Sequence, residues 1–402
     1  MKCVLAITAL AAYAAAASSK SACSTDVTIS SQSDLSSLSQ CSQFNGDIVI
    51  DGSDDSDDIS TIATISVDGL AKITGSLIIQ NLYSLQTVSF AKLNSTGSLK
   101  VLNNTKLFKL DTPMLTSVND LQIINDPSLQ EFNYANMTSV GNFQIINTYI
   151  NALNPFSASK AGNIEILSNT QLSTLDFSSV EKMTGYINIA NNGRNTNVTF
   201  SQLSTVGGNA SFADASALDI GKLDTISDDF SLYTNKFQNI SISSLTKAQK
   251  SVTLSGNNFE SISFPKLTSI GTSLNIVNNT NLQSISDTTF PELTSIPGSM
   301  VLEGSFDNIT FPSLKSVDGL VSLSGKGELS CDDASQALSS AASNIDCSLE
   351  VVDDSSDGDE EDGGSSGGSH NSHNSKTSAA SSRDTIFAAV VGGALALAAA
   401  YV

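Results

Sequence analysis

Side chains that act as general acids and bases are scarce in this sequence. Its two histidines, His370 and His373, both lie in a polar segment near the C-terminus. The rest of the chain therefore has no histidine to serve as a general base, to complete a Ser-His-Asp or Cys-His arrangement, or to bind a metal. No glycine-rich loop stands between a strand and a helix, where a phosphate would be held. The sequence predicts a protein with no catalytic residue, no cofactor and no metal ion.

Paired carboxylates remain possible, because glycoside hydrolases need only two. The best local group is Asp224, Asp228 and Asp229. Solvated residues at a corner are the simpler interpretation, since a catalytic carboxylate needs a pocket that tunes its pKa. The chain also has no tryptophan to stack on a sugar ring. Five tyrosines are candidates for stacking, although each is as readily explained as a core or surface residue: Tyr83, Tyr134, Tyr149, Tyr186 and Tyr233.

The formal net charge of −21 is concentrated in two segments. Residues 51–58 hold five acidic side chains and residues 332–362 hold eleven, which leaves 24 other acidic side chains against 19 basic ones. The first segment suggests calcium binding, but it lacks the ligand spacing and distal glutamate of an EF-hand. An acidic loop inserted in a long repeat is the simpler interpretation. Because no basic stripe is present to neutralise phosphates, we expect no nucleic-acid partner.

Cysteine usage indicates an oxidising compartment. Four of the five cysteines lie outside the first 17 residues, at Cys23, Cys41, Cys331 and Cys347. Three pairings are possible. We favour Cys23–Cys41 and Cys331–Cys347, because each pair is local and the two pairs lie at opposite ends of the repeats. Each bridge would contribute roughly 3 kcal/mol through the entropy of the unfolded chain.

Both ends of the chain resemble targeting signals. Residues 1–17 form a short apolar run that ends in small residues, which is typical of a secretory signal peptide; the run is too short for a membrane anchor. Residues 385–402 are apolar and follow a polar spacer, which is the pattern of a GPI attachment signal, with Ser378 or Asn374 as the attachment residue. Together they predict a protein attached by a GPI lipid to the outer leaflet of the plasma membrane.

The segment between the signals repeats with a period near 22 residues. The first inward apolar residue of each strand recurs at positions 48, 77, 99, 121, 143, 164, 187, 210, 230, 252, 274, 300 and 321. Thirteen repeats of this length indicate a solenoid. Each unit has an alternating strand, an asparagine corner, a second short strand and a closing Leu-x-Ser/Thr-Ile/Val. No strong helical period appears, so a right-handed parallel β-helix fits better than a leucine-rich repeat with helices.

Asparagine recurs four residues after the repeat marker, where the chain must turn a corner. Asparagine tolerates the left-handed backbone and bonds to nearby backbone groups. Stacked amides of successive turns can also bond to one another. We therefore expect these residues inside the solenoid, where Ser168, Asp214, Thr234 or Gly256 replaces asparagine in some turns. The asparagines are Asn81, Asn103, Asn125, Asn147, Asn191 and Asn278.

Eight Asn-x-Ser/Thr sequons occur in the repeats. Period-2 alternation places Asn197, Asn209, Asn239 and Asn308 outside. We expect nearly full occupancy at Asn197, Asn239 and Asn308, which share one face, and weak occupancy at Asn103 and Asn278, because a stacked ladder would bury them. The remaining sites are Asn94 and Asn136.

The chain order predicts five segments after the signal peptide. An N-terminal cap occupies residues 18–45, the repeats 46–328 and a C-terminal cap 329–348, and each cap contains a short helix pinned by its disulfide. Residues 349–384 are rich in Asp, Gly and Ser with few apolar side chains, which indicates a disordered stalk. The GPI signal at 385–402 follows.

Residues 23–50, "CSTDVTISSQSDLSSLSQCSQFNGDIVI", resemble the opening of the fungal GPI-anchored cell-wall organisation proteins. This family includes the yeast protoplast-secreted and sporulation-specific wall proteins. The resemblance continues through the "FPKLTSI" units and covers nearly the whole chain. It implies a fold related to the L domains of growth-factor receptors, heavy glycosylation, and residence at the plasma membrane and in the cell wall. It also implies a role in wall organisation, biogenesis and integrity. It implies no catalytic residues.

Three functions are consistent with these features. The first is a non-catalytic wall protein, and the second is a binding module that recognises a wall glycan or a protein. The third, less favoured, is an enzyme that acts on a wall polysaccharide. The partners we expect are wall polysaccharides or wall proteins, with the plasma membrane contacted through the GPI lipid.

Overall fold

The computed structural model describes residues 23–53, 58–154 and 156–351. These residues form an all-β parallel solenoid, as the repeats predict. The signal peptide, the GPI signal with Ser378 and Asn374, and almost all of the stalk lie outside the described residues. No helix among the described residues is long and apolar enough to cross a membrane.

Each turn contributes one strand to a long parallel sheet. The thirteen marker residues stand in register in it; Leu99 pairs with Leu77 and Leu121, and Leu274 pairs with Val252 and Met300. The predicted register is therefore confirmed. The fifteen strands are Val27–Ile29, Ile48–Asp51, Ser76–Gln80, Ser95–Leu102, Ser117–Asp126, Ser139–Thr148, Asn163–Leu167, Ile187–Ala190, Ala210–Ala213, Phe230–Tyr233, Val252–Ser255, Leu274–Val277, Met300–Glu303, Val321–Gly327 and Ile345–Val351.

Two of these strands were not predicted, because the sequence indicates thirteen turns and the sheet has fifteen rungs. Val27–Ile29 pairs with Ile48–Ile50, and Ile345–Val351 pairs with Val321–Gly327. Each cap thus supplies one strand that covers an end of the long sheet. The last strand also continues to Val351, past the predicted start of the stalk at residue 349, because backbone pairing orders residues whose composition suggests disorder.

The second strands of the turns form a row of short parallel sheets. They are Thr64–Ser66, Thr87–Ser89, Lys109–Thr112, Glu131–Tyr134, Thr174–Asp176, Asn197–Thr199, Ala217–Asp219, Asn239–Ser241, Ser261–Ser263, Ser284–Ile285 and Asn308–Ile309. The third strands form a narrow sheet: Lys160–Ala161, Lys182–Met183, Thr205–Val206, Thr225–Ile226, Lys247–Ala248, Ser269–Ile270, Ser295–Ile296 and Ser316–Val317. In the first turns Gln43–Phe44 and Lys72–Ile73 take this place, and Lys72 pairs with Ser95 at the start of a long-sheet strand.

Side chains that alternate inward from all three strands fill the core with Leu, Ile, Val and Phe. Stacked phenylalanines of neighbouring turns show the register directly: the ring centroids of Phe264 and Phe290 are 5.1 Å apart, and those of Phe290 and Phe311 are 5.6 Å apart. Except in Ala217–Asp219 and Ile345–Val351, each described strand buries at least one apolar residue. This burial stabilises strands that are mostly two to five residues long.

The caps are short helices, as predicted. Gln32–Leu38 begins at the N-cap Ser31, which forms a capping box with Asp34, and Cys331–Leu338 begins at the N-cap Ser330. Residues 58–61 form one turn of 3₁₀-helix. The structure contains both favoured disulfides: the Cα atoms of Cys23 and Cys41 are 5.9 Å apart, and those of Cys331 and Cys347 are 5.8 Å apart.

The predicted corners have left-handed backbone. In the ten turns whose markers run from Leu77 to Leu274, the residue four positions later has φ between 50° and 66°, and Ser168, Asp214, Thr234 and Gly256 take that conformation in the turns that lack asparagine. The predicted inward direction of the asparagine side chains is wrong. Asn103 and Asn278 are exposed, and the next residues, Asn104 and Asn279, are buried. At a left-handed residue the chain bends, so the side chain of this residue leaves the core and that of its successor enters it.

Two ladders of hydrogen bonds result. On the outside, Nδ2 of Asn103 donates to Asn81 (3.4 Å), Asn125 donates to Asn103 (3.3 Å) and Asn147 donates to Asn125 (3.1 Å). Inside, Nδ2 of Asn235 donates to Oδ1 of Asn257 (2.9 Å). The inner ladder satisfies buried backbone groups that would otherwise destabilise each corner.

Candidate binding face

The carboxylates proposed for glycoside hydrolysis have separate structural partners. Asp224 accepts a hydrogen bond from Thr246 (2.8 Å), and Asp228 forms an ion pair with Lys250 (2.7 Å). Asp229 accepts the backbone N–H of Ser251 (2.9 Å). Each interaction links one turn to the next, which matches the interpretation as corner residues.

The acidic segment that suggested calcium begins with an engaged carboxylate. Asp51 accepts hydrogen bonds from Ser53 (2.5 Å), Gln80 (2.6 Å) and Asn81 (3.1 Å). Partial burial acts to raise the pKa of Asp51, but these bonds outweigh it and lower the pKa. Residues 54–57 lie outside the described part of the chain. Among the described residues, no group of three carboxylate, histidine or cysteine side chains is arranged to hold a metal ion.

The outer surfaces of the solenoid differ in their glycosylation sites. All eight sequon asparagines are exposed. Asn197, Asn239 and Asn308 begin second strands, where they pair with Ala217, Ser261 and Ser284 respectively, and so share one face as predicted. Within the described strands of the long sheet, no outward position holds a sequon asparagine. Four sequons lie just beyond the ends of these strands, at Asn94, Asn103, Asn209 and Asn278.

Two neighbouring rows of outward positions run along the long sheet, and each row has one side chain per turn. We call the surface made by these rows between residues 100 and 190 the long-sheet face. Cross-strand pairing aligns its polar row as Gln122, Gln144, Glu165 and Asn188. The apolar row, two residues further along each strand, is Leu102, Ile124, Ile146, Leu167 and Ala190.

Glu165 is the centre of the polar row. Although it points away from the core, its side chain is only 4% exposed, because residues from neighbouring turns lie over it. Its Oε2 accepts hydrogen bonds from Gln144 (2.9 Å) and the Tyr186 hydroxyl (3.1 Å), and its Oε1 accepts one from Asn188 (3.3 Å). Three donors from neighbouring turns therefore fix one carboxylate on an outer surface.

Two residues of the apolar row are buried although they point away from the core. Ile146 and Leu167 are 5% and 6% exposed, since each is flanked by aliphatic neighbours one turn away. The other charges on this face are Lys100 and Asp120, whose ion pair (3.8 Å) makes them neutral together. The face is therefore poor in charge, with a polar row beside an apolar one, and a charge-poor apolar centre is typical of recognition surfaces.

Sequence reasoning missed Glu165. The available signal was a single charged residue in "NIEIL", at an outward position between the inward Ile164 and Ile166. Of the tyrosines considered for sugar stacking, Tyr134 is in the core, Tyr83 and Tyr149 are exposed, and Tyr186 and Tyr233 lie half-buried on the long sheet.

Comparison with known proteins places this chain near fungal cell-surface proteins. No family model matches it. It is 27% identical over 163 residues to sporulation-specific protein 2 of Saccharomyces cerevisiae, covering 40% of this chain and 32% of that protein. It is 31% identical over 188 residues to a cell surface GPI-anchored protein of Arthroderma benhamiae, covering 46% of this chain and 47% of that protein. The chain thus spans less than half the length of either relative, and it is a distant relative of fungal cell-surface proteins.

Exposure changes the expected glycosylation of one corner site. Asn278 projects outward, so we now expect its occupancy to match that of Asn197 on the second strands. Asn103 differs, because its Nδ2 is already bonded to Asn81 (3.4 Å) and a glycan there must be accommodated within the outer ladder. Peptide mapping after endoglycosidase treatment measures both. Occupancy at Asn278 below half of that at Asn197 would contradict the prediction.

Proposed function

We propose that this protein is a non-catalytic, GPI-anchored cell-surface glycoprotein that is needed for the organisation and integrity of a fungal cell wall. The observation that carries the proposal is the segregation of its surface. All eight sequon asparagines are exposed, and none of them stands at an outward position of the described long-sheet strands, where the long-sheet face has one polar and one apolar row. Such a division suits a protein that is displayed among wall polymers and keeps one face free for contacts.

The engagement of the carboxylates supports a role without catalysis. Glycoside hydrolysis needs two carboxyl groups on either side of one scissile bond. Asp224, Asp228 and Asp229 each bond to a neighbouring turn, and Glu165 has amides and a hydroxyl as its hydrogen-bond partners. The relatives support the surface location: one of them is named a cell surface GPI-anchored protein.

A binding module is the second candidate function, and the long-sheet face favours it. A purely architectural rod has no use for a carboxylate fixed by three donors on its outer surface, because such a group costs desolvation without adding to the core. In this alternative, wall organisation follows from recognition of a wall polymer or a wall protein.

A deletion strain tests the proposed function. Loss of the gene should increase sensitivity to wall-binding dyes and wall-digesting enzymes by about tenfold in serial-dilution growth assays, because a surface organiser would be missing. The full chain should restore resistance, and a version that lacks residues 385–402 should be secreted and restore less. Normal growth of the deletion strain under all of these stresses would contradict the proposal.

A further inference from the structure

The long-sheet face repeats its chemistry at the spacing of the turns. Neighbouring parallel strands lie about 4.8 Å apart, so the polar row places one planar polar group on each turn: Gln122, Gln144, Glu165 and Asn188. The apolar row runs beside it at the same steps. A ligand that matches both rows over their whole length must itself repeat and be extended.

The polar row is organised to exchange hydrogen bonds with hydroxyl groups. Glu165 is 4% exposed and accepts three bonds from its neighbours, so it orients the polar row rather than meeting a ligand itself. The amides of Gln122, Gln144 and Asn188 each provide both a donor and an acceptor. The bonds to Glu165 fix two of these amides, which reduces the side-chain entropy lost when a ligand binds.

The apolar row complements this pattern. Leu102, Ile124 and Ala190 are half-buried and give this row an accessible aliphatic surface beside the polar groups, whereas Ile146 and Leu167 are buried. A sugar ring has an apolar C–H surface and a hydroxyl-bearing edge, so a chain of rings lying along the sheet places its C–H surface on the apolar row and its hydroxyls on the polar row.

The charges of the face select against an ionic ligand. Lys100 and Asp120 neutralise each other, and Glu165 is the remaining charge. A polyanion would meet an unpaired carboxylate of the same sign, and a polycation would find one buried carboxylate rather than an acidic row. A neutral polymer avoids both costs.

We propose that the long-sheet face binds a neutral, linear polysaccharide lying along the stack of turns, with Gln122, Gln144 and Asn188 contacting its hydroxyls and Leu102 and Ile124 contacting its rings. Buried Glu165 holds the amides of Gln144 and Asn188 in place. This inference rests on the proposed function, because it names the polymer class that the wall protein would contact. A globular protein partner is the competing occupant.

Glycan masking tests the proposal with a single substitution. Ala190→Thr creates an Asn-x-Thr sequon that begins at Asn188 within the face, and threonine is well suited to a strand. Gln283→Thr creates a matched control sequon that begins at Asn281, next to the second-strand row and away from the long-sheet face. Both variants and the wild type are made as full chains in a fungal host, and occupancy is read from the endoglycosidase-sensitive mobility shift. Binding is measured by co-sedimentation with β-1,3-glucan, chitin and cellulose particles.

The wild type should bind at least one of these particles. The glycosylated A190T variant should bind that particle at least tenfold more weakly, and the Q283T variant within twofold of the wild type. After endoglycosidase trimming of the folded proteins, A190T should recover to within threefold of the wild type treated in the same way, which shows that the glycan and not misfolding caused the loss.

Four results would overturn the proposal: no binding of any particle by the wild type, equal binding by fully glycosylated A190T, no recovery after trimming, or capture of a wall protein in place of polysaccharide. If binding fails while the deletion strain is sensitive to wall stress, this face is wrongly assigned and the proposed function stands. If the deletion strain is insensitive while A190T loses binding, the proposed function fails and the site stands.

Discussion

The variant Asp126→Asn should be more stable than the wild type at neutral and alkaline pH. Asp126 is fully buried in the inner ladder, where its Oδ1 accepts bonds from the N–H (2.7 Å) and Nδ2 (3.1 Å) of Asn104. In other turns this inner-ladder position is an asparagine, whose Nδ2 donates to a backbone carbonyl of the turn before. Asn104, for example, donates to the carbonyl of Ile79 (3.1 Å). Asp126 has Oδ2 there instead, and within the described residues that oxygen has no hydrogen-bond partner.

The pH dependence follows from this burial. Desolvation raises the pKa of Asp126 to about 7, despite the opposing bonds from Asn104. The folded-state pKa lies above the unfolded value near 3.8, so the contribution of protonated Asp126 to the unfolding free energy depends on pH. It is fully present below pH 3.8 and is lost as the pH rises through 7. At about 1.36 kcal/mol per pH unit, the wild type should lose about 4 kcal/mol of unfolding free energy between about pH 4 and pH 8.

Asparagine has no titratable carboxyl group, so the unfolding free energy of D126N should not fall in this way between pH 4 and pH 8. Chemical denaturation across the same pH range measures it, with Asp176→Asn as the control. Asp176 is exposed and accepts the N–H of Ser178 (2.9 Å), a bond that an asparagine oxygen can also accept. If the unfolding free energies of D126N and the wild type change with pH in the same way, the inner ladder tolerates the ionised carboxylate and the prediction is wrong.

The variant Asn257→Ala should lose about 3–6 kcal/mol of unfolding free energy, because it removes several buried hydrogen bonds at once. Its Nδ2 donates to the carbonyl of Leu232 (2.9 Å) and to Asn279 (3.0 Å), and its Oδ1 accepts the N–H (3.0 Å) and Nδ2 (2.9 Å) of Asn235. All of these groups are buried, and each buried polar group left without a partner costs about 1–3 kcal/mol.

The adjacent asparagine is the matched control for this variant. Asn258 is exposed and bonds to Lys236 (3.2 Å) and Asn281 (2.7 Å) at the surface, where water can replace the lost groups. Asn258→Ala should therefore cost about 1 kcal/mol or less. Denaturant midpoints at neutral pH compare the two variants, and similar losses would mean that the inner ladder contributes no more than a surface bond.

Much of the fold was predictable because its information is local and periodic. The marker residues align in the structure at every turn, although most spacings range from 20 to 26 residues, because each inward apolar residue must meet one from the turn before. The left-handed corners were also predictable, including the substitutions at Ser168 and Asp214. Short separations of 18 and 16 residues favour the two disulfides that form.

The direction of the corner asparagines could not be predicted from the sequence. Asn103 and Asn104 are the same residue type, so composition does not distinguish the exposed member from the buried one. Extrapolating the period-2 alternation places Asn103 inside, but this alternation ends where the backbone becomes left-handed. The caps show the same limit, because Val27–Ile29 and Ile345–Val351 become strands through pairing with the outermost turns rather than through their own pattern.

By itself the sequence determined the solenoid and its register, because an apolar period of about 22 residues is buried by stacking each turn on the next. It favoured, without determining, the two disulfides that form. Only the tertiary structure decided where the candidate binding face lies. Gln144, Glu165, Tyr186 and Asn188 come from three turns, and their contacts depend on how far each side chain reaches across the sheet. The spacing along the chain determines the turn to which a residue belongs. The burial of Glu165 depends instead on the side chains of neighbouring turns that cover it.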